Sequence, residues 1–181
     1  NYYNTKMKDN LNISKIEEED PSKQLKNKTF PSISLPNQQG NLLRLNRADT
    51  FRMVIFFFSM TGRPDRCLPK NWNSIPGAKG CTYEVCSFRD NYDKIISLNT
   101  IPLGISTQTI DDNKEMSSRL NIPFDILSDE QLNLKGLLKL PFFLIDKKEY
   151  LKRLTLIVEK NIIIKVFYPI FSVEKHISEV L

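Results

Sequence analysis

Apolar residues recur along this chain with two different periods, and the change from one to the other lays out an α/β domain. Arg52 to Phe58 holds an almost unbroken apolar run, the pattern of a central strand covered on both faces. Leu42 to Leu45 and Ile101 to Ser106 predict two further strands, the second also buried. After Pro76 and Gly77 break whatever precedes them, Cys81, Val85, Phe88, Tyr92 and Ile95 recur at the spacing of one helix face. A second helix is predicted between about Asp111 and Leu120, with Asp111 or Asp112 as its cap, ending before Asn121-Ile122-Pro123. Gln131 to Leu138 predicts a shorter helical stretch, and Phe142 to Ile145 a strand. Leu151 to Val158, a turn at Glu159-Lys160-Asn161, and Ile162 to Tyr168 predict a β-hairpin, after which Ser172 can cap a last helix through Val180. Strands alternating with helices and closing on a hairpin predict an α/β fold with a mixed sheet.

The amino-terminal stretch breaks this pattern. Residues 1–28 are rich in Asn, Lys, Glu and Asp and poor in large apolar side chains, the composition of a disordered or loosely docked arm. The expected organisation is therefore a flexible extension over 1–28 and one domain over 29–181, within a chain of 181 residues. The extension's six lysines and five acids leave most of the formal charge of +5 in the domain. That charge could attract an acidic protein partner or nucleic acid. Against nucleic acid, the lysines are scattered and the one clustered segment is Lys147-Lys148-Glu149-Tyr150-Leu151-Lys152-Arg153.

Candidate chemistry concentrates at Gly80-Cys81-Thr82-Tyr83-Glu84-Val85-Cys86-Ser87-Phe88-Arg89-Asp90. Two cysteines stand five residues apart at the head of the predicted helix. Cys81 opens the apolar stripe, and Cys86 falls on the polar face with Arg89, Asp90 and Asp93. Five helical residues separate the two side chains by about 7.5 Å of rise and about 140° of rotation. A disulfide needs Cα atoms about 4.4–6.8 Å apart, so joining this pair requires the first helical turns to unwind. The first turn of a helix also carries unpaired N–H groups and a partial positive charge, which predicts a lowered thiol pKa at Cys81. A reactive thiol with a second cysteine nearby suits peroxide chemistry, the first sulfur being oxidised to sulfenic acid and the second condensing with it. Taken alone, a C-x4-C pair reads as two ordinary cysteines, since free Cys is often a small buried hydrophobe.

Residues 80–93, Gly-Cys-Thr-Tyr-Glu-Val-Cys-Ser-Phe-Arg-Asp-Asn-Tyr-Asp, resemble the active-site helix of the Q-type or bacterioferritin-comigratory branch of the peroxiredoxins, in the AhpC/TSA-like thioredoxin-fold superfamily. Flanking segments resemble the family in the same order: 30–36, 54–58, 103–106, 123–130, and the strand Lys152-Arg153-Leu154-Thr155-Leu156-Ile157. The resemblance implies a thioredoxin-like fold with a central mixed sheet flanked by helices and a carboxy-terminal hairpin and helix. It also implies a thiol-dependent peroxidase acting on hydrogen peroxide and organic hydroperoxides. Cys81 would take the peroxidatic role and Cys86 the resolving role, their intramolecular disulfide being reduced by a thioredoxin or glutaredoxin. Arg153 would hold peroxide and thiolate through its planar fork of donors. Without the resemblance, Arg153 reads as a solvated charge beside Lys147, Lys148 and Lys152. No metal or organic cofactor is implied, and resolution within one chain makes a monomer the simplest expectation.

The chain departs from that pattern in its loop. Ala78 stands where the family has a threonine whose hydroxyl positions peroxide, and Ser59 stands where it commonly has proline. About eighteen residues, Thr61 to Lys79, precede Cys81, and Thr61 or Ser74 could fold back to supply the hydroxyl. These departures motivate two other readings, a peroxide sensor or thiol oxidoreductase of the same fold, and a non-catalytic interaction subunit. Cys67, within Arg63-Pro64-Asp65-Arg66-Cys67, reads as an incidental loop cysteine or a second reactive thiol. His176, the only histidine, is expected on a solvated helix face, which leaves little support for a Cys–His couple or a histidine metal site. No transmembrane run or signal-peptide pattern is visible, and the cysteine usage favours a reducing compartment, whether cytosol, nucleus or an organelle matrix or stroma.

Overall fold

The computed structural model describes residues 20–47, 52–170 and 173–181. The chain runs α1 (Pro21–Leu25), β1 (Ser34–Pro36), β2 (Leu42–Arg44), β3 (Arg52–Phe57), α2 (Cys81–Asp90), α3 (Tyr92–Ser97), β4 (Thr100–Ser106), α4 (Ile110–Leu120), β5 (Ile126–Ser128), α5 (Asn133–Leu138), β6 (Phe142–Ile145), β7 (Lys148–Leu151), β8 (Leu154–Glu159), β9 (Ile162–Phe167) and α6 (Val173–Val180). Five strands form the central sheet in the order β5-β4-β3-β8-β9. β3, β4 and β5 are parallel, whereas β8 and β9 join antiparallel. The mixed α/β sheet expected from the alternating pattern is thus present, in the thioredoxin-like arrangement.

β3 lies at the middle of this sheet and explains the two-sided core. Its odd residues Met53, Ile55 and Phe57 join Phe30, Leu45, Leu127, Leu156 and others on one face, while Val54, Phe56 and Phe58 meet Val85, Phe88, Ile95, Met116 and Phe124 on the other. Alternation of side chains along a strand puts these two sets on opposite faces, and helices or loops cover both. The close fit is visible at Gly104, where a Cβ would stand 2.7 Å from the Phe56 ring and 2.8 Å from Ile126. A side chain there would displace the aromatic cluster that seats α2.

Several element boundaries differ from the sequence reading. The predicted single helix from Cys81 breaks at Asn91, whose side-chain amide donates to the Ser87 carbonyl at 2.8 Å, and α3 resumes at Tyr92. α4 is capped by Thr109, not by Asp111 or Asp112: its Oγ1 accepts from the Asp112 N–H at 3.1 Å, so the helix starts earlier and both acids occupy its first turn. Leu151 belongs to β7, which pairs with β6 in a separate two-stranded hairpin, and β8 starts only at Leu154. Within the expected extension, α1 buries Leu25, the Asn27 N–H donates to the Ile163 carbonyl at 2.8 Å, and the Ile163 N–H donates to the Lys28 carbonyl at 2.9 Å. Residues 1–19 and the expected cap Ser172 lie outside the described residues.

Candidate functional site

Cys81 is the first residue of α2, behind Gly80, whose φ of 102° is the backbone conformation that side chains avoid. The helix therefore starts abruptly, and its first side chain points into the aromatic layer against β3. Cys81 is 2% exposed. The N–H of Ser59, just beyond β3, donates to Cys81 Sγ at 3.3 Å, and the N–H of Met60 also faces the sulfur. The thiol in turn lies 3.8 Å from the Ala78 carbonyl, the acceptor nearest to it.

Arg153 enters from the segment between β7 and β8 and is buried at 6% exposure. Its Nη1 donates to the Lys79 carbonyl and its Nη2 to the Ile170 carbonyl at 3.4 Å, so the guanidinium ties the loop before α2 to the segment after β9. The solvated-charge reading of this arginine is excluded by that burial. Its Nε stands 4.0 Å from Glu84 Oε2, one turn along α2 from Cys81. Glu84 is 1% exposed, and neither carboxylate oxygen has a hydrogen-bond partner among the described residues. Burial pushes the Glu84 carboxyl up to about 8 against the opposing pull of Arg153.

The same burial pushes the Cys81 thiol up, and Glu84 adds to it, while the Met60 and Ser59 N–H groups and Arg153 pull the other way. The lowered thiol pKa expected at a helix start is therefore corrected: desolvation outweighs the helix terminus when the sulfur is sealed under the loop. One buried cation faces two groups that could each become an anion. With Glu84 protonated, Arg153 serves the sulfur alone, so the two titrations belong to the pair and not to either residue.

Cys86 lies half-buried on the same helix, Cys67 is exposed in the loop, and both are free thiols, as is Cys81. The structure keeps Cys81 and Cys86 on one intact helix, α2, so their separation is the five-residue helical offset. The loop over 61–79 is anchored, not slack. Trp72 is buried edge-on to Tyr150 at 5.1 Å and near Phe143 at 5.6 Å, which seats the loop on the β6–β7 hairpin together with Ala78. Arg63 pairs with Asp65 and Asp112, and Arg66 with Asp112. Ser74 is exposed, and Thr61 Oγ1 is 3.1 Å from both Gln108 Oε1 and Met116 Sδ, so neither hydroxyl is bonded to the sulfur.

His176 also departs from expectation. It is buried on α6, with Nε2 2.8 Å from Thr155 Oγ1 and its ring edge-on to Phe88 and Phe167. Burial, with a smaller contribution from Arg153, pushes its pKa down to about 4. α6 packs on α2, so this face is interior despite the charged residues along the helix. Glu84 was missed because, three residues after a helix-opening cysteine, it looks like an ordinary first-turn acid, and His176 was taken for a solvated residue because Glu174, Lys175, Ser178 and Glu179 flank it in sequence.

Finally, a cavity of about 460 Å³ is lined by Pro76, Gly77, Arg153, Tyr168, Pro169 and Ile170 among others. It shares Arg153 with the sulfur site. The chain is 27% identical over 161 residues to peroxiredoxin Q, chloroplastic, of Sedum lineare, covering 88% of this chain and 77% of that one. Its fold matches the peroxidoxin BcpB of Mycobacterium tuberculosis with a TM-score of 0.70 at 22% identity, over 86% of this chain and 92% of that one. It matches the bacterioferritin comigratory protein of Xanthomonas campestris with a TM-score of 0.64 at 17% identity, over 82% and 87%. The AhpC/TSA family model matches residues 27–167. With most of its length so matched, the chain belongs to the AhpC/TSA family, in the peroxiredoxin Q or bacterioferritin-comigratory branch, and is a peroxidase of the oxidoreductase class.

Proposed function

We propose that this protein is a two-cysteine thiol peroxidase in which Cys81 attacks the peroxide, Cys86 resolves the product, and Arg153 holds the reacting oxygens. The Cys81 thiolate attacks the distal oxygen of ROOH, forming the S–O bond as the O–O bond breaks; the sulfur becomes S–OH and the displaced alkoxide takes a proton to depart as ROH. The Cys86 thiol then condenses with the sulfenic acid, forming the S–S bond and releasing water. A dithiol protein of the thioredoxin or glutaredoxin class returns both sulfurs to thiols by exchange.

The observation that carries this reading is a buried sulfur that takes backbone N–H groups of Ser59 and Met60, with the buried Arg153 charge also favouring its thiolate and a second thiol on the same helix. Donors fixed in a water-poor site stabilise developing negative charge better than mobile water does. The cavity beside Arg153 supports organic hydroperoxides as well as hydrogen peroxide, because about 460 Å³ far exceeds the room that two water-sized oxygens need. Reaction within one chain needs no second subunit, so the working unit is a monomer, built on a domain that includes α1 and its link to β9 as well as residues from 29 onward.

Stoichiometric hydrogen peroxide added to the reduced protein, followed by disulfide mapping by mass spectrometry, tests the assignment. A rapid Cys81–Cys86 bond supports it. An inert pair, or oxidation confined to Cys67, transfers the reading to a non-catalytic subunit. Cys81→Ser should abolish turnover, whereas Cys86→Ser should allow one oxidation and recycle poorly.

A further inference from the structure

The segment just after β3 does more than close the strand. Ser59 is buried, its N–H donates to Cys81 Sγ at 3.3 Å, and its hydroxyl donates to the Leu151 carbonyl at 2.7 Å. Two residues on, Thr61 donates to Gln108 Oε1 twice, from its N–H at 2.7 Å and from its hydroxyl at 3.1 Å. A backbone N–H can only donate, so this contact fixes which end of the Gln108 carboxamide is oxygen. The Gln108 amide then donates to Asn113 Oδ1 at 2.8 Å. Its backbone is held on both sides: the Gln108 N–H donates to Ser106 Oγ at 3.2 Å, and Ser128 Oγ donates to the Gln108 carbonyl.

Gln108 and Thr61 are each 5% exposed and Asn113 is fully buried, so this polar chain has been taken out of water. It ends in an orphan, since Asn113 Nδ2 has no partner among the described residues. An unpaired buried donor costs free energy that an apolar substitute at Asn113 would avoid. The other end of the network is where its effect is felt, because Thr61, Met60 and Ser59 are consecutive, and the last two present their N–H groups to the sulfur.

We infer that the backbone N–H groups of Ser59 and Met60 are catalytic donors to the Cys81 thiolate, and that Gln108 is the positioning residue that aims them. The proposal rests on Cys81 as the reacting thiol. It supplies a physical counterpart to Ala78: with no side-chain hydroxyl at position 78 and those of Thr61 and Ser74 directed elsewhere, the sulfur takes its donors from the main chain. It also gives Ser59 a reason to be there, because a proline at this position would carry no hydrogen to donate. The charged and titratable groups that act on the sulfur are Glu84 from its own helix and Arg153 from the segment between β7 and β8. Neither lies on the 59–61 segment, so substitutions there leave both in place.

The test compares Ser59→Pro, Ser59→Ala and Gln108→Met in the full chain. The readout is the pH dependence of Cys81 alkylation, resolved from Cys67 and Cys86 by peptide mass spectrometry, beside the rate of peroxide oxidation. Ser59→Pro removes the N–H and should raise the Cys81 alkylation midpoint by about one pH unit and slow oxidation by about tenfold, the size of one lost charge-assisted hydrogen bond. Ser59→Ala keeps the N–H and loses only the hydroxyl, so its midpoint should stay near that of the parent. Gln108→Met should move the midpoint in the direction of Ser59→Pro, by less. Equal midpoints in Ser59→Pro and Ser59→Ala would overturn the donor assignment. Should Ser59→Pro fail to fold, an unshifted Gln108→Met overturns the inference and an upward shift supports it. Alkylation does not depend on turnover, so these outcomes hold even if the protein reduces no peroxide.

Discussion

At the scale of the residue, the site is governed by one cation and two acids. Arg153 is buried 4.0 Å from Glu84 and its charge also favours the Cys81 thiolate, and Glu84 keeps its proton up to about pH 8. Its folded pKa lies above the ordinary carboxyl value of 4.5, so the folded state binds the proton more tightly than the unfolded chain. The stability this adds is fully present below about pH 4.5 and is lost as pH rises through about 8. Glu84→Gln cannot ionise, so its urea midpoint should fall less between pH 5 and 8.5 than that of the parent. Its peroxide rate should also keep rising above pH 8, where the parent's ionised Glu84 competes for Arg153. Parallel pH profiles in the two proteins would remove Glu84 from this account. The cysteine pair at a helix start was visible as a local feature, but only the family resemblance gave it a redox role over two ordinary cysteines. Arg153 was legible only through family resemblance, Ser59 only as a departure from the family's proline, and Glu84 and Gln108 not at all. Their significance lies in contacts such as Thr61 to Gln108, forty-seven positions apart, that no periodicity announces.

At the scale of the element, the strongly patterned pieces were readable and the charged or anchored ones were not. β3 and β4 followed from their apolar runs, whereas β7 was missed because Lys148-Glu149-Tyr150-Leu151 carries too few apolar residues to signal a strand. What stabilises β7 is tertiary: Tyr150 stacks on Phe143 at 5.6 Å and receives Trp72 of the loop. Trp72→Ala should therefore cost about 3–5 kcal/mol, the usual range for emptying a buried aromatic site. It should also open the loop to trypsin at Arg66 and Lys70. A loop that stays resistant would mean that the Arg63 and Arg66 pairs with Asp112 hold it without the indole. α6 carries the opposite pH signature to Glu84. The pKa of His176, about 4 against an ordinary imidazole value of 6.5, favours the neutral ring in the folded state. Its contribution is present above about pH 6.5 and is lost as pH falls towards 4, by about 3 kcal/mol in all. His176→Leu should flatten that acid limb in denaturant midpoints, and an unchanged limb would assign it to other groups. The neutral histidine was illegible because α6 looks solvated until α2 is packed against it.

At the scale of the molecule, the fold sets a rigid sheet beneath a helix that must come apart. β3, β4 and β8 are paired along their lengths and buried on both faces, and nothing in the proposed chemistry asks them to move. α2 is different. Its amino-terminal turn holds Cys81 down through the Ser59 N–H, and its later turns are pinned by Phe88, stacked on Phe56 at 4.2 Å and met by His176 of α6. A bond between Cys81 and Cys86 is incompatible with the intact helix, so oxidation must exchange helical hydrogen bonds and buried area for one S–S bond. Only six residues are enclosed by that bond, too short a loop for the cross-link to recover much of the loss by restricting the unfolded chain. Hydrogen exchange should therefore show the amides of residues 84–90 losing protection in the oxidised protein, while those of β3, β4 and β8 keep theirs. Cys86→Ser oxidised to the sulfenic acid should retain the protection of α2, because no bond pulls the helix apart. Equal protection of α2 in the reduced and disulfide forms would mean that Cys86 reaches Cys81 without unwinding, and the helical separation of the two thiols would then no longer set the barrier to resolution.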